Sequence, residues 1–171
     1  MKTIKVLFLA AEAAPFVKIG GLADVAGALP PALRALSEEE AGGVKLDVRL
    51  AIPLHMVIRT EAATLRPIAS FSLKRAGVDV NTQVFETRSG DLPVYFVAGE
   101  PITASASVYS SNAALDGEKY TFFSLAALEM TKHLDWEPDI IHANDWHTAL
   151  AVYALQIKQW NGEMQDKKAL L

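Results

Sequence analysis

The chain has 171 residues, of which 51% are hydrophobic and 21% charged, an ordinary composition for one globular domain with a sizeable core. Its net charge of −4 argues against a general nucleic-acid-binding protein, which needs a basic surface. No apolar run approaches the roughly 20 residues of a membrane span, and the N-terminus lacks the layout of a signal peptide. Zero cysteines exclude disulfides and thiolate chemistry, so we expect a soluble, cytoplasmic α/β protein without membrane or nucleic-acid partners.

The first 50 or so residues predict a strand, a helix and a second strand. Residues 4–10 are nearly all apolar, as expected of a central parallel strand that is covered on both faces. From Leu22 onward apolar residues recur at helical spacing, and we expect Pro30 and Pro31 to interrupt or kink this helix. Residues 45–52 alternate as a strand does, so the three elements form a right-handed βαβ unit.

The middle of the chain has a different pattern. Short β-like runs over 68–74, 78–87 and 92–97 are separated by turn signals, which predicts antiparallel hairpins inserted after the second strand. Residues 101–116 are rich in Ser and Ala, so we expect an exposed loop there.

The last third predicts two helices around a short buried strand. The first helix is expected to open at Asp116, and the strand covers 139–143. Asn144 or Asp145 then caps the second helix, which ends near Gly162. Its apolar stripe is predicted to be core and consists of Trp146, Ala149, Leu150, Tyr153, Ile157 and Trp160.

A lysine and two glycines lie where the first strand gives way to the first helix, in the sequence Lys18-Ile19-Gly20-Gly21. Glycine lets the backbone approach a ligand closely, and the first turn of a helix offers unpaired N–H groups and a partial positive charge. Lys18 adds a full charge, so the pattern predicts an anion site. It fits equally a tight turn with a solvated lysine, and Asp24 fits the role of complementing the helix dipole.

A second polar cluster follows the strand at 139–143. It contains His142, Asp145 and His147. Because ligands of open parallel sheets bind beyond the carboxyl ends of the strands, we expect the two clusters to share one cleft. Local sequence alone favours Asp145 as a helix N-cap, His142 as a partly buried strand-end histidine, and His147 as a solvated or packing histidine.

Several other kinds of site are disfavoured. A metal site built from His142, Asp145 and His147 is one of them, because strand-end and helix side chains diverge. The sequence has no G-x-G-x-x-G, no P-loop and no G-x-S-x-G motif, which argues against dinucleotide oxidoreductases, P-loop NTPases and hydrolases with a nucleophile elbow. We therefore expect no metal and no cofactor.

Three strings of the sequence resemble one known family. The string E-A-A-P-F-V-K-I-G-G-L-A-D-V-A-G-A-L-P, from Glu12 to Pro30, resembles the N-terminal signature of bacterial glycogen synthases and plant starch synthases, glycosyltransferase family 5. P-D-I-I-H-A-N-D-W-H-T, from Pro138 to Thr148, resembles the H-x-H-D-W-H-[TA] segment of that family. D-G-E-K-Y-T-F-F-S-L-A-A-L-E, which starts at Asp116, fits the expected place between them.

The resemblance implies a GT-B glycosyltransferase, in which two Rossmann-like domains face a cleft. This chain would supply the N-terminal half-domain: an α/β fold with a parallel sheet, helices on both faces and an inserted β-hairpin region. Such enzymes transfer glucose from ADP-glucose, or UDP-glucose in some members, to the non-reducing end of an α-1,4-glucan with retention of configuration. They require no metal.

The family's site residues can be carried over position by position. Lys18 matches the lysine that reaches the diphosphate of the sugar nucleotide, and Gly20 and Gly21 match the glycines that lie against the phosphates and the sugar. Asp145 matches the aspartate that lines the glucose and acceptor pocket, and it is the expected catalytic residue. The remaining expected substrate-binding residues are Glu12, Asp24 and His147.

Three departures from the family pattern bear on these roles. Ile19 stands where many members have threonine, and Asn144 replaces the second histidine of the H-x-H-D-W-H segment. The 101–116 region is shorter than in several members, and Tyr109 is its candidate for an acceptor-binding tyrosine.

We expect residues 1–171 to be the N-terminal, acceptor-side catalytic domain of a longer synthase. The sequence ends like a strand cut off as it begins, and the nucleotide-binding C-terminal domain of the same enzyme is the expected protein partner. The chain alone is then expected to be inactive. Two alternatives stay open, a non-catalytic glucan-binding module and another GT-B enzyme of the sucrose or trehalose synthase type.

Overall fold

The computed structural model describes residues 2–58, 64–75, 77–104 and 106–171. Ser105, within the predicted loop, lies outside the described residues. In chain order the described elements are β1 (Thr3–Leu9), α1 (Gly21–Ala35), β2 (Lys45–Pro53), β3 (Arg66–Arg75), β4 (Val78–Ser89), β5 (Leu92–Ala98), α2 (Glu100–Thr103), α3 (Ala113–Met130), a 3₁₀ turn (Thr131–His133), β6 (Ile140–Ala143), α4 (Trp146–Trp160) and β7 (Lys168–Leu170).

The seven strands form one mixed sheet in the order β3-β4-β5-β2-β1-β6-β7. β5, β2, β1, β6 and β7 pair in parallel, and numbered along the chain they run 3-2-1-4-5, as in doubly wound nucleotide-binding folds. β3 and β4 extend this part as antiparallel strands. The predicted α/β fold is confirmed. β5 differs from the predicted hairpin region in that it also belongs to the parallel part, and all of its residues are buried.

Alternate residues of β1 divide the core into two layers. Leu7 and Leu9 belong to a cluster with buried residues of α3 and α4, whereas Val6 and Phe8 belong to a cluster that includes Ala26 of α1. Because side chains alternate along a strand, the sheet is covered by helices on both faces, as predicted.

The predicted interruption of the first helix is wrong, because α1 continues through Pro30 and Pro31 to Ala35. The kink expected at these prolines stays a prediction. Proline's fixed φ is compatible with a helix, and the cost is the missing N–H groups. The last turn is also held from outside: Arg34 pairs with the carboxylate of Asp47 on β2. This contact lies beyond both prolines and fixes the end of α1 on the sheet.

The predicted exposed loop over 101–116 is wrong at both ends. Pro101 and Ile102 lie in α2 and are buried. α3 begins at Ala113 rather than at the predicted Asp116, because the side chain of Asn112 accepts a hydrogen bond from the backbone of the first turn and caps the helix there.

The predicted core stripe of α4 is also wrong. Trp146, Tyr153 and Trp160 are 56%, 56% and 71% exposed. The buried side of α4 carries smaller residues, among them Ala151 and Ala154, which pack in the core cluster shared with α3. Both sides of α4 are apolar, so helical spacing does not indicate which side faces the sheet.

Two helical glycines provide a test of how closely α1 packs. A Cβ on Gly27 would lie 2.7 Å from the carbonyl oxygen of Ala14, whereas a Cβ on Gly117 in α3 would meet nothing within 4 Å. Alanine is favoured over glycine in a helix by about 1 kcal/mol. We expect Gly117→Ala to raise the free energy of unfolding in urea by up to about 1 kcal/mol, and Gly27→Ala to lower it by about 1–3 kcal/mol because the helix must move. A stabilising Gly27→Ala would contradict the packing described.

Candidate active site

A pocket of about 630 Å³ opens beyond the carboxyl ends of β1 and β6. Its size is typical of small-molecule sites, and it lies where the strand order reverses, the usual ligand position in such sheets. Five of the seven expected site residues line it, namely Glu12, Gly20, Gly21, Asp145 and His147. The other lining residues are Leu22, Tyr109, Ser110, Ser111, Ala113, Asp116 and Trp146.

The two corners of the pocket are joined by Asn144. Its backbone amide and its side-chain Nδ2 both donate to the carbonyl oxygen of Leu9, at 3.0 and 3.1 Å. The residue that departs from the family's histidine therefore ties the end of β6 to the end of β1. The expectation that both polar clusters lie at one edge of the sheet agrees with this arrangement.

Lys18 and Asp24 do not line the pocket. The Lys18 Nζ and the Asp24 Oδ1 lie 2.6 Å apart, and the two side chains are 57% and 59% exposed. Exposed ion pairs contribute only about 0–1 kcal/mol, so Lys18 can leave Asp24 at small cost. Asp24 lies in the first turn of α1, where a negative charge complements the helix dipole.

Glu12 is 1% exposed, and its carboxylate is occupied by donors from two other segments. The amides of Ile19 and Gly20 donate to it, the second at 3.1 Å, and the hydroxyl of Tyr109 donates at 3.0 Å. A buried carboxylate needs such partners to offset its lost hydration. The Gly20 amide is therefore bonded to Glu12, and Gly21, where α1 begins, presents the helix terminus to the pocket.

Asp145 is the N-cap of α4, as the local sequence predicts, and it adopts an uncommon backbone conformation. Its φ is 64° and its ψ is 174°, a region that favours glycine. Its side chain accepts a hydrogen bond from the amide of Trp146 at 2.6 Å. A non-glycine residue in this conformation costs on the order of 1–3 kcal/mol, a cost that the surrounding structure sustains while the carboxylate lines the pocket.

His147 is 5% exposed and lies among aromatic rings. Its ring centroid is 4.9 Å from that of Tyr109, 4.7 Å from that of Tyr120 and 4.0 Å from that of Trp146. Burial lowers the pKa of His147 below its ordinary value, and the negative charge of Asp145 partly opposes this shift. The Nδ1 of this ring is buried and has no hydrogen-bond partner among the described residues.

Sequence reasoning missed a buried ion pair beside the pocket. Asp116 Oδ1 and Lys119 Nζ lie 2.9 Å apart, and the two residues are 5% and 0% exposed. Their spacing of three residues is a helix signal that could have revealed the pair. Because the composition of residues 101–116 predicts a loop, the sequence predicts Asp116 at the helix end instead of inside the first turn. Ser110 and Ser111 carry no comparable signal.

His142 lies at the strand end, and its ring is 4.5 Å from that of Phe8. Burial lowers its pKa below the ordinary value. Across the described ranges, no group of three or more His, Cys, Asp or Glu residues is arranged to hold a metal ion. In the same ranges, no helix has the length and apolarity needed to cross a membrane.

A family model described as starch synthase catalytic domain matches residues 5–171. Glycogen synthase from Clostridium beijerinckii is 36% identical over 162 residues, which cover 94% of this chain and 32% of that protein. Glycogen synthase from Thermotoga maritima is 36% identical over 154 residues, which cover 86% of this chain and 30% of that protein.

Among solved structures, the catalytic domain of starch synthase IV from Arabidopsis thaliana, bound to ADP and acarbose, has the same fold, with a TM-score of 0.79. It is 22% identical, and the match covers 99% of this chain and 33% of that chain. The chain is thus an α/β domain with a pocket at the reversal of its strand order. It belongs to the starch synthase catalytic domain family, and it spans about a third of the length of the curated relatives it matches.

The strain at Asp145 can be measured. Asp145→Gly relieves the backbone and leaves a tolerated N-cap, so we expect the free energy of unfolding to rise by about 1 kcal/mol. Asp145→Ala keeps the strain and loses the cap, so we expect a fall of about 1 kcal/mol. Urea unfolding of both variants checks this, and a destabilised glycine variant would show that the conformation is not strained.

A further buried histidine, His55, lies close to the Asp116–Lys119 pair. It is 1% exposed, and its Nε2 is 2.8 Å from the carbonyl oxygen of Ala11. Burial lowers the pKa of His55 to about 4, and the charge of Lys119 acts in the same direction. The bond to Ala11 and the charges of Glu12 and Asp116 oppose the shift.

This shift predicts a loss of stability in acid. The pKa of His55 falls from 6.5 in the unfolded chain to about 4 in the fold, so between these values the unfolded state binds the extra proton. The contribution of His55 is complete above pH 6.5 and declines as the pH falls, by about 2 kcal/mol at pH 5. His55→Gln keeps a neutral donor for Ala11, and we expect it to lose about 2 kcal/mol less than the wild type between pH 7 and pH 5 in urea unfolding. Equal losses in the two proteins would contradict the assignment.

Proposed function

We propose that the protein containing this chain is a glycogen or starch synthase, which transfers glucose from ADP-glucose or UDP-glucose to the non-reducing end of an α-1,4-glucan with retention. The observation that carries this proposal is the single pocket that joins the Gly20–Gly21 corner after β1 to the Asp145–His147 corner after β6. Family membership and the glycogen synthases among the relatives support it.

The corner after β1 is suited to the leaving diphosphate. In the transfer, the bond between the anomeric carbon and the diphosphate breaks, and the acceptor's 4-hydroxyl oxygen bonds to the same carbon. The proton of that hydroxyl leaves with the diphosphate. Negative charge grows on the diphosphate, and a positioned cation with N–H donors stabilises it. We assign the cation to Lys18 and the donors to the first turn of α1, which Gly21 opens without a side chain.

The corner after β6 is suited to the sugars. Asp145 presents a carboxylate, which accepts hydrogen bonds from sugar hydroxyls. His147 is buried beside it and contributes its ring to the lining of the pocket. We assign Asp145 as the catalytic residue that lines the glucose and acceptor pocket, and His147 as a substrate-binding residue. The exposed indole of Trp146 adds an apolar wall.

Glu12 and Asp24 receive different roles in this proposal. Glu12 lines the pocket, but its oxygens are bonded to protein donors, so we assign it to holding the site rather than to binding sugar directly. Asp24 is the resting partner of Lys18 before the diphosphate arrives. We assign the chain to the acceptor-side wall of the active-site cleft. A second, nucleotide-binding domain of the same enzyme faces it, and the enzyme acts in the cytoplasm.

The test is Lys18→Ala in the protein that contains this chain. We expect kcat for glucose transfer to fall by about 10²–10³, the usual effect of removing one group that stabilises developing charge. Lys132→Ala is the matched control, because Lys132 is also an exposed, ion-paired lysine and lies outside the pocket. Its activity should stay within about twofold of the wild type.

The competing class is a glucan-binding module without catalysis. It predicts that maltooligosaccharides bind and that Lys18→Ala changes nothing. Undiminished transfer in Lys18→Ala would overturn the role of Lys18, and absence of transfer by the wild-type protein with either sugar nucleotide would overturn the enzyme proposal.

A further inference from the structure

Residues 107–112, all within the described ranges, connect α2 to α3 across the pocket and form no helix or strand. Their path is set largely by Lys119. Its Nζ donates to the carbonyl oxygens of Ser107 at 3.0 Å and Val108 at 2.6 Å. The same Nζ lies 2.9 Å from the carboxylate of Asp116. Three oxygen atoms therefore surround the ammonium group, two of them from the 107–112 segment.

Two further contacts hold the same segment. The carboxylate of Asp116 accepts a hydrogen bond from the amide of Ser110 at 2.8 Å. The hydroxyl of Tyr120 donates to the carbonyl oxygen of Val108 at 2.6 Å. Four hydrogen bonds with three side chains of α3, those of Asp116, Lys119 and Tyr120, therefore fix the backbone on both sides of Tyr109.

A gain in folding stability does not explain why Lys119 and Asp116 form a buried ion pair. Lys119 is completely buried, which is rare for lysine, and a buried ion pair gains little over an apolar pair of the same shape. What an apolar pair cannot do is bind the backbone oxygens of the 107–112 segment. The Lys119–Asp116 pair therefore determines the position of that segment, which an apolar pair could not do.

The position of the segment determines two contacts of Tyr109. Its hydroxyl donates to Glu12 at 3.0 Å, and its ring lies 4.9 Å from that of His147. The carboxylate of Glu12 in turn accepts hydrogen bonds from the backbone amides of Ile19 and Gly20. A continuous set of contacts thus runs from α3 through Tyr109 to the backbone at the start of α1.

We propose that Lys119, with Asp116 as its counter-ion, is a positioning residue that holds Tyr109 against Glu12 and thereby fixes the Ile19–Gly20 backbone at the pocket. Lys119 does not line the pocket and acts only through the 107–112 segment. The geometric claim stands by itself, and its consequence for glucose transfer rests on the proposed function.

The test is amide hydrogen exchange of this chain without substrate. Removing Lys119 alone strands a buried carboxylate and endangers the fold, so the variant is Lys119→Met with Asp116→Asn, which removes both charges and keeps an acceptor for Ser110. We expect the Gly20 amide to exchange at least tenfold faster, while amides of the central strand β2 keep their rates. The control is Lys132→Met with Glu163→Gln, which removes an exposed pair outside the pocket.

Tyr109→Phe supplies a second arm that leaves the buried pair intact. It removes only the hydroxyl that contacts Glu12, and we expect the Gly20 amide to exchange at least threefold faster. Unchanged Gly20 exchange in either folded variant would overturn the proposal, as would equal acceleration in the control pair. These outcomes do not depend on whether the pocket takes a glucan.

A kinetic readout separates positioning from a loss of folded protein. In the protein that contains this chain, we expect the double variant Lys119→Met with Asp116→Asn to raise KM for a maltooligosaccharide acceptor about tenfold. A merely structural role would reduce the amount of active enzyme, and so lower apparent kcat at unchanged KM. That second pattern would overturn the consequence for catalysis.

Discussion

The structure depends on the alignment of three parallel strands, two of which, β1 and β6, end at the same level. Leu9 of β1 is in register with Ala51 of β2 on one side and with Ala143 of β6 on the other. Backbone hydrogen bonds continue this alignment past the strand ends, from the Ala10 amide to Ala51 and from the Asn144 amide to Leu9. Because the chain leaves β1 and β6 at one level and on opposite faces of the sheet, their two loops face each other across a gap. The pocket is that gap.

Two lysine–aspartate pairs lie at the site, and they serve different purposes because one is exposed and the other is buried. Lys18 with Asp24 and Lys119 with Asp116 are both lysine–aspartate contacts under 3 Å. The first is more than half exposed, so solvent weakens it and Lys18 can exchange partners. The second is shielded from water, so breaking it strands a charge and the pair is fixed. An exposed pair suits a group that must move to a ligand, and a buried pair suits one that must not.

The sequence was informative where one pattern implies one structure. The apolar run of β1, the glycines at the start of α1 and Asp145 before α4 each lie where expected, because strand burial and helix capping depend on local residues. The stripe containing Trp146 was assigned to the wrong side of α4, because packing against α3 is a long-range choice that favours small alanines. Lys119 was missed for a related reason: a lysine in a helix suggests exposure, and its burial depends on Asp116 together with the carbonyl groups of the 107–112 segment.

The position of Trp146 has a consequence for observing the site. Its indole ring is 56% exposed on the pocket wall, and it lies 4.0 Å from the ring of His147. A protonated imidazole quenches the fluorescence of an indole in contact with it, so the emission of Trp146 reports the ionisation of His147. Trp136 is 5% exposed beneath Arg49, and Trp160 lies at the opposite end of α4. The chain thus carries an intrinsic fluorophore at the entrance to its own pocket.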